Sequence, residues 1–157
     1  MKLVESKVKL PYDEMDKEMI EICEYLNTLP GVETRFCCSG HGVLPVRRNG
    51  KRIKAGRKTY ISFACDNKEV LARLIFVTEQ YGEDFLTKSL DWDIESLLEL
   101  DIPSLVFNGE TICYGIRYCI RARRSFSKDE YIDKINTLLK DIKEIMKDEY
   151  DYMFKIK

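Results

Sequence analysis

Apolar residues recur at helical spacing near the start of the chain. Met15, Met19, Ile22, Cys23, Leu26 and Leu29 fall on one face and predict a helix over Asp13–Thr28. Acids cluster near its start, where unpaired N–H groups favour negative charge. Pro30-Gly31 ends the helix, and Val32–Cys38 follows as a strand. Thr59–Cys65, rich in β-branched and aromatic residues, predicts the next strand. Asp66 or Asn67 then caps a helix over Lys68–Tyr81, which Gly82 ends. Leu90, Trp92 and Ile94 alternate with Ser89, Asp91, Asp93 and Glu95, the pattern of a half-buried strand. Ser104–Phe107, the Asn108-Gly109 turn signal and Thr111–Ala122 predict a hairpin. Ser127 and Glu130 form a capping box for the last helix, and Phe126 is placed to staple onto Tyr131. That helix carries Ile135, Leu138, Ile142, Ile145 and Met146 on one face and runs to about Lys147. The order predicts a single α+β domain over residues 1–157: a mainly antiparallel sheet with helices packed on one face.

Strand parity separates Thr111–Arg123 into two faces. Ile112, Tyr114, Ile116, Tyr118, Ile120 and Ala122 belong against the helices, and Cys113, Gly115, Arg117, Cys119, Arg121 and Arg123 point the other way. Three arginines on one face suit a polyanion, because guanidinium groups clasp phosphates bidentately. The alternative is cross-strand pairing with Asp91, Asp93 and Glu95, whose parity matches. Arg117, nearest Gly115 and Cys113, is the first choice as a ligand contact.

Composition narrows the class. At 157 residues and 45% hydrophobic content the chain can fill one core, and its net charge of −1 is not that of a globally basic nucleic-acid binder. The distribution is uneven. Seven Lys/Arg and no acid lie between Val43 and Cys65, leaving 19 basic against 27 acidic residues elsewhere, or −8. Such segregation marks an anion-binding face. No stretch approaches the roughly 20 apolar residues that span a bilayer, so no membrane partner is expected. Met1–Leu10 alternates lysine with apolar residues and contains Glu5, unlike a signal peptide. Of six cysteines, Cys37 and Cys38 are adjacent and the others fall in apolar patterns, which reads as reduced thiols in a cytoplasm. Rossmann, P-loop and HExxH motifs are lacking, and no cofactor is expected.

The densest chemistry is Phe36-Cys37-Cys38-Ser39-Gly40-His41-Gly42, which holds the only histidine. His41 suits a ligand-binding or acid–base role near neutral pH. It also fits a structural role, activation of a neighbouring cysteine, or zinc ligation. No second Cys-x-x-Cys or His pair completes a tetrahedral zinc site, so no metal is expected. Cys38, Ser39 and Gly40 offer backbone N–H groups for an anion cradle. Phe36, Tyr60, Phe63 and Trp92 lie on candidate strands, where one can stack on a nucleobase and the rest belong to the core.

The run Ile22–Gly42 resembles two families. It is similar to a group of small bacterial and phage proteins with a Cys-Cys-Gly-His-Gly-like signature after a helix. It also resembles the wybutosine-synthesis methyltransferase family, whose helix leads into Ser-Ser-Cys-Ser-Gly-Arg. Cys38-Ser39-Gly40 matches that motif, while His41 stands at its arginine and Phe36-Cys37 at its paired serines. The second resemblance implies an RNA-modifying enzyme using S-adenosylmethionine. The first implies a phage-encoded protein that sequesters or degrades a nucleotide signal of host defence.

Together these features predict a protein that binds, and as an enzyme would cleave, a small phosphate-bearing nucleotide. The expected contacts are Cys38, Ser39, Gly40 and Gly42 of the loop, Arg47, Arg48, Lys51, Arg52 and Lys58 of the basic stretch, and Arg117 and Arg121, with His41 as the catalytic residue. RNA as a partner and a homo-oligomer are both compatible with the sequence. A non-enzymatic interaction or inhibitor module is the remaining alternative.

Overall fold

The computed structural model describes residues 1–42, 44–48, 51–55, 58–79, 91–107 and 110–155. In chain order the elements are α1 (Lys17–Leu26), β1 (Val32–Cys38), β2 (Leu44–Arg48), β3 (Lys51–Ala55), β4 (Tyr60–Cys65), α2 (Lys68–Glu79), β5 (Trp92–Phe107), β6 (Glu110–Ala122) and α3 (Tyr131–Ile145). Strands β1, β4, β6 and β5 form an antiparallel sheet in that spatial order, and β2–β3 is a separate two-stranded ladder. Ile61, Phe63, Trp92, Ile120 and Ala122 on the sheet meet Met19, Ile22 and Leu26 of α1, Val70, Leu74 and Val77 of α2, and Ile135, Leu138 and Ile142 of α3 in one core. The α+β class and the antiparallel sheet are as the sequence predicts.

Three local differences have physical causes. The first helix begins at Lys17, after a 3-10 turn at Tyr12–Glu14 and extended backbone at Met15 and Asp16. The Asp16 carboxylate makes no hydrogen bond to its own helix; it accepts the Ser39 N–H at 2.9 Å instead. The two strands expected between Leu90 and Phe107 are one, β5, with register irregularities on either side of Pro103. An edge strand accommodates a proline because its missing N–H is not needed by a neighbour. The capping box is half formed. The Glu130 carboxylate accepts the Ser127 N–H at 3.0 Å, but Phe126 is buried against Trp92, with ring centroids 5.3 Å apart. The expected end of α2 at Tyr81-Gly82 and the Asn108-Gly109 turn lie outside the described residues.

Glu130 yields a pH prediction. The Arg124 guanidinium, at 2.6 Å, and then the Ser127 N–H hold its carboxyl down to about 2. A folded-state value below the unfolded one contributes stability above the ordinary glutamate range and loses it as pH falls toward about 2. An NMR titration should find Glu130 titrating well below the ordinary glutamate range, and Arg124→Gln should raise it substantially while the Ser127 N–H still holds it somewhat below that range.

One internal bond pair positions the site. The buried Asn27 amide donates to Thr34 Oγ1 at 2.9 Å and accepts the Thr34 N–H at 2.8 Å, tying the end of α1 to β1. The β1–β4 register then shifts between Thr34 and Phe36. Val32 and Thr34 are buried, whereas Phe36, two residues on, is 58% exposed. A bulge of this kind re-aims the strand that follows it. Cys37 consequently packs on the core, and Cys38 does not belong to it.

Candidate functional site

Three side chains converge where β1 ends. Cys38 Sγ lies 3.8 Å from His41 Nε2, and His41 Nδ1 lies 3.6 Å from Asp16 Oδ1. One ligating atom from each residue falls within 4.8 Å of the others. Asp16 comes from the lead-in to α1, the cysteine from the end of β1 and the histidine from the loop, so only the fold assembles the group.

The loop conformation is unusual and well held. Gly40, His41 and Gly42 have φ of 76°, 58° and 76°, three consecutive left-handed residues. His41 is the only such non-glycine among the described residues. This conformation is costly for a side-chain-bearing residue and persists when its surroundings impose it. They do so here. Thr59 Oγ1 donates to the Ser39 carbonyl at 2.8 Å, and a Cβ on Gly42 would sit 2.5 Å from Lys128 Cα. Cys38 is 8% exposed beneath the loop, while the His41 side chain is 62% exposed.

The same bonds occupy the loop's N–H groups. Ser39 N donates to Asp16 Oδ2, Gly40 N to Cys38 Sγ at 3.4 Å and His41 N to Ser39 Oγ at 3.2 Å. Two of the amides expected to cradle an anion, those of Ser39 and Gly40, are thus engaged within the protein, and so is that of His41. What remains outward is the imidazole.

The positive groups are arranged unequally around it. In the β2–β3 ladder, Arg47 stands opposite Arg52 and Arg48 opposite Lys51, so the ladder concentrates four cations beyond the loop; their side chains lie outside the described set. Lys58 is exposed beside Thr59, whose hydroxyl braces the loop. Arg121 takes the cross-strand alternative, at 3.5 Å from Asp93 and 3.2 Å from Glu95. Arg123 bonds Glu79 and the Trp92 carbonyl. Arg117 pairs with no described carboxylate; its guanidinium lies 5.8 Å over the Phe36 ring and its Nε is buried without a hydrogen-bond partner. Of the four aromatic candidates, Phe63 and Trp92 are core, Tyr60 is half-buried and Phe36 is exposed. Tyr60 pairs with Cys38 across β1–β4 and Phe36 with Ser62, so the helix-free sheet face continues from the loop toward Arg117.

Two features escape sequence reasoning. Asp16 reads as a helix-start acid, and nothing in its spacing reveals a partner 23 residues away. Cys23 and Cys37 are also in contact. The hydrogen bond between the two thiols, and secondarily burial, pushes Cys23 up, and the same bond lowers Cys37 against the opposing effect of its burial. Both line a cavity of about 260 Å³ beside β1, together with Lys9, Glu14, Phe36 and Tyr60. The five described cysteines, Cys23, Cys37, Cys38, Cys65 and Cys119, are free thiols. No described helix is long and apolar enough to cross a membrane.

The chain is similar over its N-terminal part to a prophage-associated protein family. Residues 3–46 match the family model described as YoqC prophage protein. That span holds Asp16, Cys38 and His41 together. No curated protein and no solved structure matches the chain. The match thus supports the phage-type resemblance, and no comparison supports the wybutosine one.

Proposed function

We propose that this protein binds a small phosphate-bearing nucleotide at the β1 loop and cleaves it with His41 moving the proton. The observation that carries the reading is the exposed His41 ring, held between Asp16 and Cys38 at the point where the chain enters its cation-rich ladder. Because the loop amides are engaged, the phosphate is met by side-chain cations: Arg47, Arg48, Lys51 and Arg52 of the ladder and Lys58. Phe36 under Arg117 supplies a surface for the base. Arg121, already paired with Asp93 and Glu95, is the weaker of the two arginine contacts.

Thermal-shift screening of the full chain against nucleotides, cyclic dinucleotides, ADP-ribose derivatives and S-adenosylmethionine tests this. A ligand at a hundred times its Kd stabilises by about 2.7 kcal/mol, or roughly 5–10 °C for a domain of this size. His41→Asn, which tolerates the left-handed backbone, should keep the shift and lose conversion by about 10²–10⁴-fold. If no nucleotide raises Tm, the reading has no basis. A shift with S-adenosylmethionine alone would favour methyl transfer, and binding to RNA with a steep salt dependence would favour a polymer.

A further inference from the structure

We propose that Cys38 is a nucleophile, activated by His41 and aligned through Asp16, and that it carries the phosphoryl group of the substrate covalently. This rests on the reading of the loop as a nucleotide site and deepens it. The two ring nitrogens of His41 face different partners: Nε2 faces Cys38 Sγ at 3.8 Å and Nδ1 faces Asp16 Oδ1 at 3.6 Å. That is the arrangement of a nucleophile, a base and an orienting acid. The same three residues also bring one ligating atom each within 4.8 Å of the others, the spacing of a candidate metal site, and the alkylation test separates the two. The sulfur contact is a long hydrogen bond and the carboxylate contact is just beyond one, as is common before substrate tightens a site.

Two further bonds support the assignment. The Gly40 N–H donates to Cys38 Sγ and holds the sulfur in place under the loop, and the Ser39 N–H fixes the other oxygen of Asp16. The left-handed backbone at His41, costly for a histidine, is what turns its ring back over a cysteine three residues earlier.

The chain also contains a single histidine, which cannot serve at once as acid and base in a one-step hydrolysis. A two-step route removes the conflict. His41 Nε2 takes the Cys38 thiol proton, and the thiolate attacks phosphorus. An S–P bond forms as the P–O bond to the alcohol breaks, and the leaving oxygen takes that proton from His41. His41 then takes a proton from water, whose oxygen attacks phosphorus and breaks the S–P bond. Phosphate and the thiolate are released, and the thiolate recovers its proton through His41. Asp16 is the positioning residue.

Iodoacetamide alkylation of the intact chain at pH 7, with each cysteine followed by peptide mass spectrometry, tests the nucleophile without any nucleotide. Cys38 should be alkylated roughly tenfold more slowly in His41→Asn than in the wild type, with Cys37 and Cys119 unchanged. Asp16→Asn, which keeps an acceptor for the Ser39 N–H, should slow it to a lesser extent, and a matching circular dichroism spectrum and melt would confirm the fold of each variant. An unchanged rate in His41→Asn overturns the proposal. So does a faster one, since it would make His41 a mere shield over a buried thiol, and so does wild-type protection that a chelator relieves, which would mean a metal. A positive alkylation result beside a negative nucleotide screen would keep the nucleophile and remove its phosphoryl substrate, so the two readings fail separately.

Discussion

Replacing Arg73 with methionine is expected to lower stability by about 2–4 kcal/mol. The side chain is fully buried in α2, an unusual place for a charge. Its guanidinium donates to the Ile145 carbonyl at 2.6 Å and the Lys147 carbonyl at 3.2 Å, at the end of α3. It also pairs with Glu69 at 3.0 Å and Asp151 at 2.5 Å, and lies 4.8 Å over the Phe154 ring. One cation therefore closes the last carbonyls of α3 and ties the segment Asp148–Phe154 onto α2. Breaking a fully buried pair costs about 3–5 kcal/mol, and partial exposure of Glu69 and Asp151 reduces that here. Urea unfolding measures the loss, and limited proteolysis should cut first after residue 147. A loss below about 1 kcal/mol would mean that the C-terminal segment is held chiefly by its other contacts, the Phe154–Phe76 ring pair at 5.7 Å, the Tyr150–Glu144 hydrogen bond and the pairing of Asp148 with the N-terminus.

Gly42→Ala is expected to cost about 2 kcal/mol or more and to disturb His41 at the same time. Its φ of 76° disfavours any side chain, and the added Cβ would meet Lys128 Cα at 2.5 Å and both Lys128 N and Tyr131 Cδ1 at 3.0 Å. Main chain cannot swing aside as a flexible side chain does, so the loop or the start of α3 must move. Since His41 is the preceding residue, its ring should leave Cys38 and Asp16. The wild-type distribution of iodoacetamide labelling among the cysteines would then shift. Thermal unfolding together with that labelling checks both halves; a variant as stable as wild type with unchanged Cys38 reactivity would contradict the tight packing of Gly42.

Periodicity carried most of the fold. The stripe from Met19 to Leu26 is buried on α1, and Ile135, Leu138, Ile142 and Ile145 are buried on α3. The parity of the last strand placed Ile120 and Ala122 in the core and Arg117 and Arg121 on the other face, as found, but Ile116, expected against the helices with them, is 56% exposed. These features are legible because a side chain's direction follows from its position within a regular element. Element ends were less legible. The start of α1 depends on Asp16 choosing the Ser39 amide, and the continuity of β5 depends on Pro103 lying at an edge.

The site divides along the same line. By itself the sequence determined that His41 and the two cysteines lie in one glycine-containing loop after a strand, followed by a concentrated run of cations. It also determined that Cys37 and Cys38 point to opposite sides, because strand residues alternate. Only the tertiary structure decided which cysteine meets His41, since the bulge after Thr34 sends Cys37 to Cys23 and leaves Cys38 for the imidazole. It alone supplied Asp16, and it alone engaged the loop amides that an anion would otherwise use. It also chose, among three arginines of equal parity, to pair Arg121 and Arg123 with acids and leave Arg117 over Phe36. Such choices are made by partners distant in sequence, and no local pattern encodes a partner it does not contain.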